Sequence, residues 1–124
     1  MDVDTIERTV DVLHRTIVAL VRRDGPDLTA RQLSVFLACY LEDEAQTVRG
    51  LAAALRVSKP AITRAVFRLA EFNLIRRTTD PDDRRSTLIQ RTLAGAQFLR
   101  ALETILAESA QEAEAAAVAG ASWR

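Results

Sequence analysis

The chain has 124 residues, and its 17 basic residues balance its 17 acidic ones, so the formal net charge is zero. Apolar residues form 48% of the sequence, which excludes a disordered tail because this share is enough to build a core. The single cysteine excludes an internal disulfide. No apolar run approaches the roughly 20 residues of a membrane-spanning helix, and the acidic N-terminus differs from a signal peptide. We therefore expect one soluble, cytoplasmic domain without a membrane partner.

The charge is unevenly distributed along the chain. Ten basic and four acidic residues lie between Arg49 and Arg91, whereas the remainder has seven basic and thirteen acidic residues. Exposed arginines are common on solvated surfaces, and Arg91 fits a solvated or a DNA-facing position equally well. A basic segment within an otherwise acidic chain is nevertheless typical of a nucleic-acid-binding surface.

The first predicted helix covers residues 4–23. Its apolar side chains recur at intervals of four and three positions, close to the period of a coiled coil. They are Ile6, Val10, Leu13, Ile17 and Leu20. His14 lies beside this stripe and is interpreted as a surface or interface residue, because no second histidine or cysteine has ligand spacing.

The second helix is predicted to begin after Thr29, which forms a capping box with Gln32, and to end near Glu42. Cys39 within it is interpreted as a small core residue, since a reactive thiolate requires positive neighbours and its surroundings are acidic. The predicted buried face comprises Leu33, Phe36, Leu37, Tyr40 and Leu41.

Two short helices follow in close succession. Thr47 is the predicted N-cap of a helix over residues 48–55, and Ser58 is that of the next helix. Pro60 lies in the first turn of the latter, where the missing N–H is tolerated. Asn73 tolerates the left-handed conformation that ends helices. The inward stripe of the second helix of this pair is Ile62, Val66 and Leu69.

Residues 74–79 and 87–91 are predicted strands, joined by the turn residues Asp80-Pro81-Asp82-Asp83. Arg84 and Arg85 are expected at the tip of this hairpin or just after it. A last helix is predicted over residues 93–118, with the apolar stripe Phe98, Leu102, Ile105 and Leu106. The sequence does not decide the role of Trp123 in the alanine-rich tail.

The order of helix, tight turn, helix and β-hairpin is that of a winged helix-turn-helix. The second helix of the pair must present one face to the core and the other to the major groove of DNA. Its outward set is predicted to be Lys59, Pro60, Ala61, Thr63, Arg64, Phe67 and Arg68. Phe67 can pack against the wing, pack against a neighbouring helix, or meet a base methyl group. Arginine and lysine can bond guanine, while Ser58 and the free N–H groups of the first turn can hold a phosphate.

Three segments carry a resemblance to a known family: Ser58-Lys59-Pro60-Ala61-Ile62-Thr63-Arg64, then Asn73-Leu74-Ile75-Arg76-Arg77, then Asp80-Pro81-Asp82-Asp83-Arg84-Arg85. Over about residues 29–95 the chain resembles the MarR family of bacterial transcription regulators. Thr92-Leu93-Ala94-Gly95 is similar to that family's junction between the wing and the next helix. The fold implied is mainly α with a small antiparallel β-hairpin wing, with a DNA-binding lobe over residues 29–92.

The resemblance implies a homodimer on double-stranded DNA at a pseudo-palindromic operator, with the recognition helix in the major groove and a wing arginine in the minor groove. It also implies an ion pair that shapes the wing, either Asp83 with Arg85 or Asp82 with Arg84. Relatives bind a small-molecule effector between the lobe and the dimer helices, and here its lining would be around Leu13, Ile17, Phe36 and Tyr40. Family members usually have more helix after the wing.

The predicted function is sequence-specific regulation of transcription, most simply repression. The alternative is a winged-helix protein-interaction module or a non-specific architectural DNA-binding protein. Nucleotide-binding and hydrolytic motifs are absent from the sequence, so no enzyme activity, cofactor or metal is predicted. The terminal helices over 4–23 and 93–118 carry stripes that a three-helix lobe cannot bury, which favours dimerisation. The predicted DNA-binding residues are Thr47, Ser58, Lys59, Pro60, Ala61, Thr63, Arg64, Arg68, Arg77, Arg84 and Arg85, and the predicted dimer interface is Ile6, Val10, Leu13, Ile17, Leu102, Ile105 and Leu106.

Overall fold

Within the residues that the computed structural model describes, 1–120, the chain forms five helices and one hairpin; Trp123 lies outside them. In chain order they are α1 (Val3–Arg22), α2 (Ala30–Leu41), α3 (Val48–Leu55), α4 (Lys59–Glu71), β1 (Ile75–Asp80), β2 (Asp83–Arg91) and α5 (Leu93–Val118). The predicted mainly α fold with a β-hairpin wing is confirmed. No helix in this part of the chain is both long enough and apolar enough to cross a membrane.

The chain divides into two compact units. Residues Leu28–Leu99 form the first, which we name the winged lobe. Met1–Asp27 and Arg100–Arg124 form the second, which we name the terminal unit. The sequence predicted a single domain with a lobe over residues 29–92, and that domain description stays a prediction.

Side-chain caps determine where the helices begin. The Thr29 hydroxyl accepts from the backbone N–H of Gln32 at 3.1 Å, and the Gln32 side chain accepts from the N–H of Thr29 at 3.0 Å. This is the predicted capping box, and each bond satisfies a donor that α2 itself cannot pair. Thr47 and Ser58 cap α3 and α4 in the same way, as predicted.

Left-handed residues end α3 and α4. Arg56 has φ 56° and Asn73 has φ 60°. Asparagine adopts this conformation readily. At Arg56 it allows the N–H of Val57 to donate to the carbonyl oxygen of Ala52 at 3.1 Å, which satisfies an acceptor at the end of α3. Only three residues separate α3 from α4. This short connection fixes the two helices as a helix-turn-helix pair.

The winged lobe has its own core, to which all its helices and both strands contribute. Ile62, Val66 and Leu69 of α4 are 0–1% exposed, which confirms the predicted inward stripe. The prediction for α2 was wrong at two positions, because Val35 is fully buried whereas Leu41 is 65% exposed. The buried face of α2 therefore lies about one residue earlier than predicted, and Leu41 ends the helix outside it.

The two strands of the wing pair antiparallel. β2 begins at Asp83, earlier than the predicted strand over 87–91, because the turn is only two residues long. The register jumps by three residues next to this turn, so residues 84–86 have no direct partner on β1. Of the two expected positions for Arg84 and Arg85, the structure has the one just after the tip. They lie within β2, in a bulge, and a bulge turns strand residues outward.

The segment before α3 is attached to the wing. The backbone N–H of Ile89 donates to the carbonyl oxygen of Gln46 at 2.9 Å. Thr47 and Leu88 form an isolated antiparallel bridge beside it. The sequence did not predict this contact, since a single bridged pair has no periodicity to detect. It fixes the start of α3 to β2.

A hydrogen-bonded junction around Tyr40 ties the wing to α2 and to the first turn of α5. The Tyr40 hydroxyl donates to the carbonyl of Leu74 at 2.6 Å and accepts from the N–H of Thr92 at 3.0 Å. The Thr92 hydroxyl in turn accepts from the N–H of Gly95 at 2.9 Å, which caps α5. Both ends of the wing are thus bonded to one buried side chain, so the hairpin is anchored at its base.

Arg91 closes the other end of α2. Its guanidinium donates to the carbonyl oxygens of Cys39 and Glu42 at 2.8 Å each. These carbonyls belong to the last turn of the helix, which has no intrahelical donors left for them. The sequence left open whether Arg91 is solvated or faces DNA. Its hydrogen bonds instead stabilise the C-terminal end of α2.

In the terminal unit, α1 turns its charged face toward α5. Arg8 pairs with Glu114 at 3.0 Å, and Arg15 pairs with Glu112 at 3.5 Å. The opposite face of α1 is the apolar stripe predicted from the sequence, which is exposed except at the half-buried Leu20. A water-facing apolar stripe is unfavourable unless another surface covers it.

Candidate nucleic-acid interface

The outward face of α4 is polar and cationic. Lys59, Pro60, Arg64, Phe67 and Arg68 are exposed, and Thr63 is half-buried. This face lies opposite the sealed stripe of α4, so its orientation is fixed by the core of the winged lobe. A helix held in this way can present side chains to the edges of bases in a major groove.

Ala61 corrects the predicted outward set, because its side chain is only 6% exposed. The buried part of α4 is wider than three residues and includes the small side chains of Ala61 and Ala65 beside the larger ones. Small residues at these positions let the neighbouring helices approach closely. Ala61 therefore offers no side-chain surface to a ligand.

The first turn of α4 has fewer free N–H groups than expected. Pro60 has none, and the N–H of Ala61 donates to the Ser58 hydroxyl at 3.2 Å. Lys59 is left as the residue of this turn whose N–H has no bond within the described part of the chain. Any anion at this end of α4 would depend more on the Lys59 and Arg64 side chains than on a row of backbone donors.

Most basic side chains of the lobe are not neutralised by neighbouring carboxylates. Among residues 1–120, Arg68 pairs with Glu71 at 3.0 Å and Arg85 with Asp83 at 3.7 Å. The other exposed cations form no ion pair with a described residue, so their charge is available to an external polyanion. They are Arg31, Arg49, Arg56, Lys59, Arg64, Arg76, Arg77, Arg84 and Arg91. Of these, Arg91 already donates to two carbonyl oxygens at the end of α2.

The bulge of the wing is held by two aspartates. The Asp83 carboxylate accepts from the backbone N–H of Arg85 at 3.1 Å as well as facing its guanidinium. Asp80 accepts from the backbone N–H of Asp82 at 2.9 Å. Of the two predicted pairings, Asp83 with Arg85 is the one that forms, while Asp82 contributes its backbone to the turn.

Phe67 packs against the wing, which was one of the three interpretations of this outward aromatic residue. The guanidinium carbon of Arg77 lies 3.7 Å from the centroid of the Phe67 ring. Phe67 remains 45% exposed, so this contact covers one face of the ring and leaves part of it in solvent. The contact joins the outward face of α4 directly to β1.

The apolar stripe of α1 is a second exposed surface. Ile6, Val10, Leu13 and Ile17 are 39–60% exposed. On α5, the predicted interface residues differ: Leu106 is exposed, Ile105 is half-buried, and Leu102 is only 5% exposed. The prediction of Leu102 as an interface residue was wrong, because its side chain is already buried within the protomer.

Two of the residues predicted to line an effector site, Phe36 and Tyr40, belong to the core of the winged lobe. Phe36 and Tyr40 are buried with their ring centroids 4.5 Å apart, and Phe98 meets Phe36 edge-on. A separate open cavity of about 680 Å³ lies within the terminal unit. It is bordered by His14 and by charged groups of α1 and α5, including Asp11, Arg15, Arg22, Glu108 and Glu112.

Cys39 is a buried thiol of α2. Burial raises the pKa of this thiol to about 11, and the nearby Arg91 cation offsets only part of the shift. Since the thiolate is the reactive form, the native protein should react with iodoacetamide at about pH 8 at least a hundredfold more slowly than the unfolded chain. Mass spectrometry of timed samples, with and without denaturant, measures this. Equal labelling rates would contradict the assignment of Cys39 to the core.

The comparison with known families decides the classification. The profile of the MarR family matches residues 28–87, the segment that contains α2, α3, α4 and most of the wing. The solved structures similar to this chain are MarR-family transcriptional regulators. The chain belongs to the MarR family. No curated protein sequence matches it.

Three similar MarR-family structures illustrate the likeness. A transcriptional regulator from Rhodococcus sp. RHA1 is 30% identical, with a TM-score of 0.63 over 79% of this chain and 66% of that chain. CouR from Rhodococcus jostii RHA1, solved with p-coumaroyl-CoA, is 31% identical, with a TM-score of 0.61 over the same shares. MepR from S. aureus, solved with DNA, is 21% identical with a TM-score of 0.67 over 90% of this chain and 86% of that chain, a likeness of fold alone. The chain thus spans about two thirds of the length of the two Rhodococcus regulators.

In this MarR-family chain the structure brings together most of the residues singled out from the sequence. α4, the wing bulge and the start of α3 all belong to the winged lobe. Arg49 and Arg56 belong to the basic segment that the sequence indicated but not to the predicted DNA-binding residues; both are exposed and form no ion pair with a described residue.

Proposed function

We propose that the protein is a sequence-specific regulator that binds double-stranded DNA as a homodimer and represses transcription by occluding a promoter. One observation carries this proposal. The inward row of α4 is sealed in the core, while Lys59 and Arg64 face outward and form no ion pair with a described residue. A rigid helix with an unneutralised outer face fits the geometry and charge of a major groove.

The two elements of the interface, α4 and the wing, would contact different grooves of DNA. Arg64 has the length and the donors for bidentate contact with guanine, and Thr63 can contact a thymine methyl group. In the wing, Arg84 and Arg85 lie in a bulge that the Asp83 carboxylate holds in shape. A narrow minor groove attracts arginines of this kind because its negative potential is enhanced. The MepR structure, solved with DNA, supports the assignment to double-stranded DNA. In a bacterium this target lies in the cytoplasm.

A homodimer is supported by the orientation of α1. Its charged face is bonded to α5 of the same chain, so its apolar stripe is left for another surface. A second copy supplies an identical stripe, and a two-fold axis makes the contact self-complementary. Two recognition helices about 34 Å apart would then reach successive major grooves, which predicts a pseudo-palindromic site.

Replacing Ile17 with aspartate should dissociate this dimer, because it places a charge in the centre of the apolar contact. Sedimentation velocity should show the monomer mass for Ile17→Asp. Thr9→Asp is the matched control, since Thr9 is exposed on the same helix but polar. The interface assignment fails if Ile17→Asp still sediments at twice the monomer mass with an unchanged circular dichroism spectrum.

Selection of bound duplexes from a random DNA pool tests the function. We expect a palindrome whose halves are separated by about one helical turn, bound far more tightly than unselected DNA. Equal affinity for selected and random duplexes, with a steep salt dependence, would instead identify a non-specific architectural protein. No binding to any duplex would leave the protein-interaction module as the better description.

A small-molecule effector is a further part of the proposal. CouR was solved with p-coumaroyl-CoA, and the terminal unit of this chain contains an open cavity bordered by charges of both signs. Such a lining suits a ligand that has charged groups. Release of the selected duplex on addition of p-coumaroyl-CoA would place this chain with thioester-responsive regulators, and an unchanged complex would exclude that ligand.

A further inference from the structure

We propose that Phe67 is a positioning residue that holds the Arg77 guanidinium in place for a phosphate of the DNA backbone and thereby couples the wing to α4. The inference rests on the proposed DNA-binding function. Its basis is the stacked contact, in which the guanidinium carbon lies 3.7 Å from the ring centroid. The two residues belong to different elements, α4 and β1, and both are on the surface of the winged lobe.

The stacked contact leaves the N–H donors of Arg77 available to a phosphate. A guanidinium has five N–H donors, all in its plane. Stacking on an aromatic ring occupies the face of this group and leaves its edge free. Arg77 is exposed and has no carboxylate partner among residues 1–120. Its donors therefore have no internal anion among the described residues, and a phosphate is the anion that the proposed ligand supplies.

Pre-orientation explains why an aromatic residue stands at this exposed position. A free arginine loses side-chain entropy when it is fixed on a phosphate. An arginine already stacked on Phe67 has lost part of that freedom before DNA arrives. The contact also links the positions of the two reading elements, since β1 cannot shift along α4 without breaking it.

Two neighbouring arginines lack the combination found at Arg77, which is a ring contact without a carboxylate partner. Arg68 lies 4.5 Å from the centroid of the Phe72 ring, but its charge is already paired with Glu71. Arg76 precedes Arg77 on β1, and the pleat of a strand directs consecutive side chains to opposite faces. Arg76 therefore serves as a control that has the same charge and strand but not the same ring.

Binding to a duplex of arbitrary sequence tests the inference, because a phosphate contact is independent of sequence. Phe67→Leu should bind about two- to fivefold more weakly than the unaltered protein, the effect of a cation–π contact at an exposed site. Phe67→Tyr keeps the ring and should bind normally. In an Arg77→Ala background Phe67→Leu should have no further effect, whereas in an Arg76→Ala background its full effect should remain.

The salt dependence separates positioning from direct contact. Arg77→Ala should lower the slope of log affinity against log salt by about 0.9, the loss of one phosphate contact. Phe67→Leu should leave the slope unchanged, since the arginine is still present. A purely structural role for Phe67 would instead lower the unfolding temperature and would weaken binding equally in both arginine backgrounds.

An independent measurement needs no DNA. The Arg77 side-chain NMR signals should show a ring-current shift in the unaltered protein and in Phe67→Tyr, and lose it in Phe67→Leu. Absence of that shift, normal binding by Phe67→Leu, or weakened binding by Phe67→Tyr would each overturn the inference while the proposed function stands. If the unaltered protein binds no duplex, the proposed function fails, and this inference fails with it.

Discussion

Replacing Gly95 with alanine is expected to lower the free energy of unfolding by about 3 kcal/mol or more. A β-carbon at this position would overlap the Tyr40 hydroxyl and the carbonyl oxygen of Leu74. Those are the two atoms joined by the hydrogen bond at the base of the wing. The added methyl group would therefore break a buried bond as well as overfill the junction.

The higher helix propensity of alanine would raise the free energy of unfolding, but by less than the overlap lowers it. Alanine is favoured over glycine inside helices by roughly 0.5–1 kcal/mol. Gly95 lies in the first turn of α5, so this preference acts in the mutant's favour. It does not offset the overlap, because one of the two atoms involved is backbone and cannot rotate away. Chemical denaturation of the two proteins measures the difference.

Gly50→Ala is the matched control. Gly50 has the same position in the first turn of α3, but an added β-carbon would meet only the Thr47 hydroxyl, at 3.0 Å. Its effect on stability should be small. In a Tyr40→Phe background, Gly95→Ala should be less destabilising than in the unaltered protein, because one of the overlapping atoms is gone. Gly95→Ala with the stability of Gly50→Ala would contradict the described junction.

Replacing Arg64 with alanine is expected to weaken binding to the selected duplex by about 1–3 kcal/mol, or roughly 5- to 150-fold. Arg64 is exposed on α4, has no ion pair within the described residues, and follows the buried Ile62 by two positions. It thus extends from the middle of the recognition face. If it reads a guanine, its loss should also relax the preference at one base pair in each half-site.

An array of single-base-pair variants of the selected duplex measures both effects. Arg31→Ala is the control, because Arg31 is an exposed arginine of the same lobe that lies on α2. It removes the same charge and should leave the base preference unchanged. Should Arg64→Ala keep both its affinity and its preference, Arg64 would be a solvated residue and the major-groove role would pass to Lys59 or Thr63.

The helices were predictable because their boundaries depend on local interactions. The caps Thr29, Thr47 and Ser58 bond to backbone groups within their own first turns. The inward stripe of α4 followed from its spacing, and the left-handed conformation of Asn73 followed from its residue type. These features need only a few consecutive residues, which the sequence displays directly.

The errors concern contacts between residues far apart in the chain. The bulge in β2 depends on its register with β1, and the burial of Ala61 depends on how closely neighbouring helices approach. Leu41 and Leu102 fit apolar stripes equally well whether they face the core or another surface. The role of Arg91 depends on carbonyl groups 49 and 52 residues away.

The sequence alone determined the order of helices and strands, the position of the cationic segment and the family. These features depend on local hydrogen bonding and residue type. The tertiary structure alone decided which face of α1 meets α5, which of the two predicted aspartate–arginine pairs forms in the wing, and that Arg77 stacks on Phe67. Each of these outcomes is a choice among contacts that the sequence permits equally. Such a choice is made by packing over the whole fold, which a one-dimensional pattern does not contain.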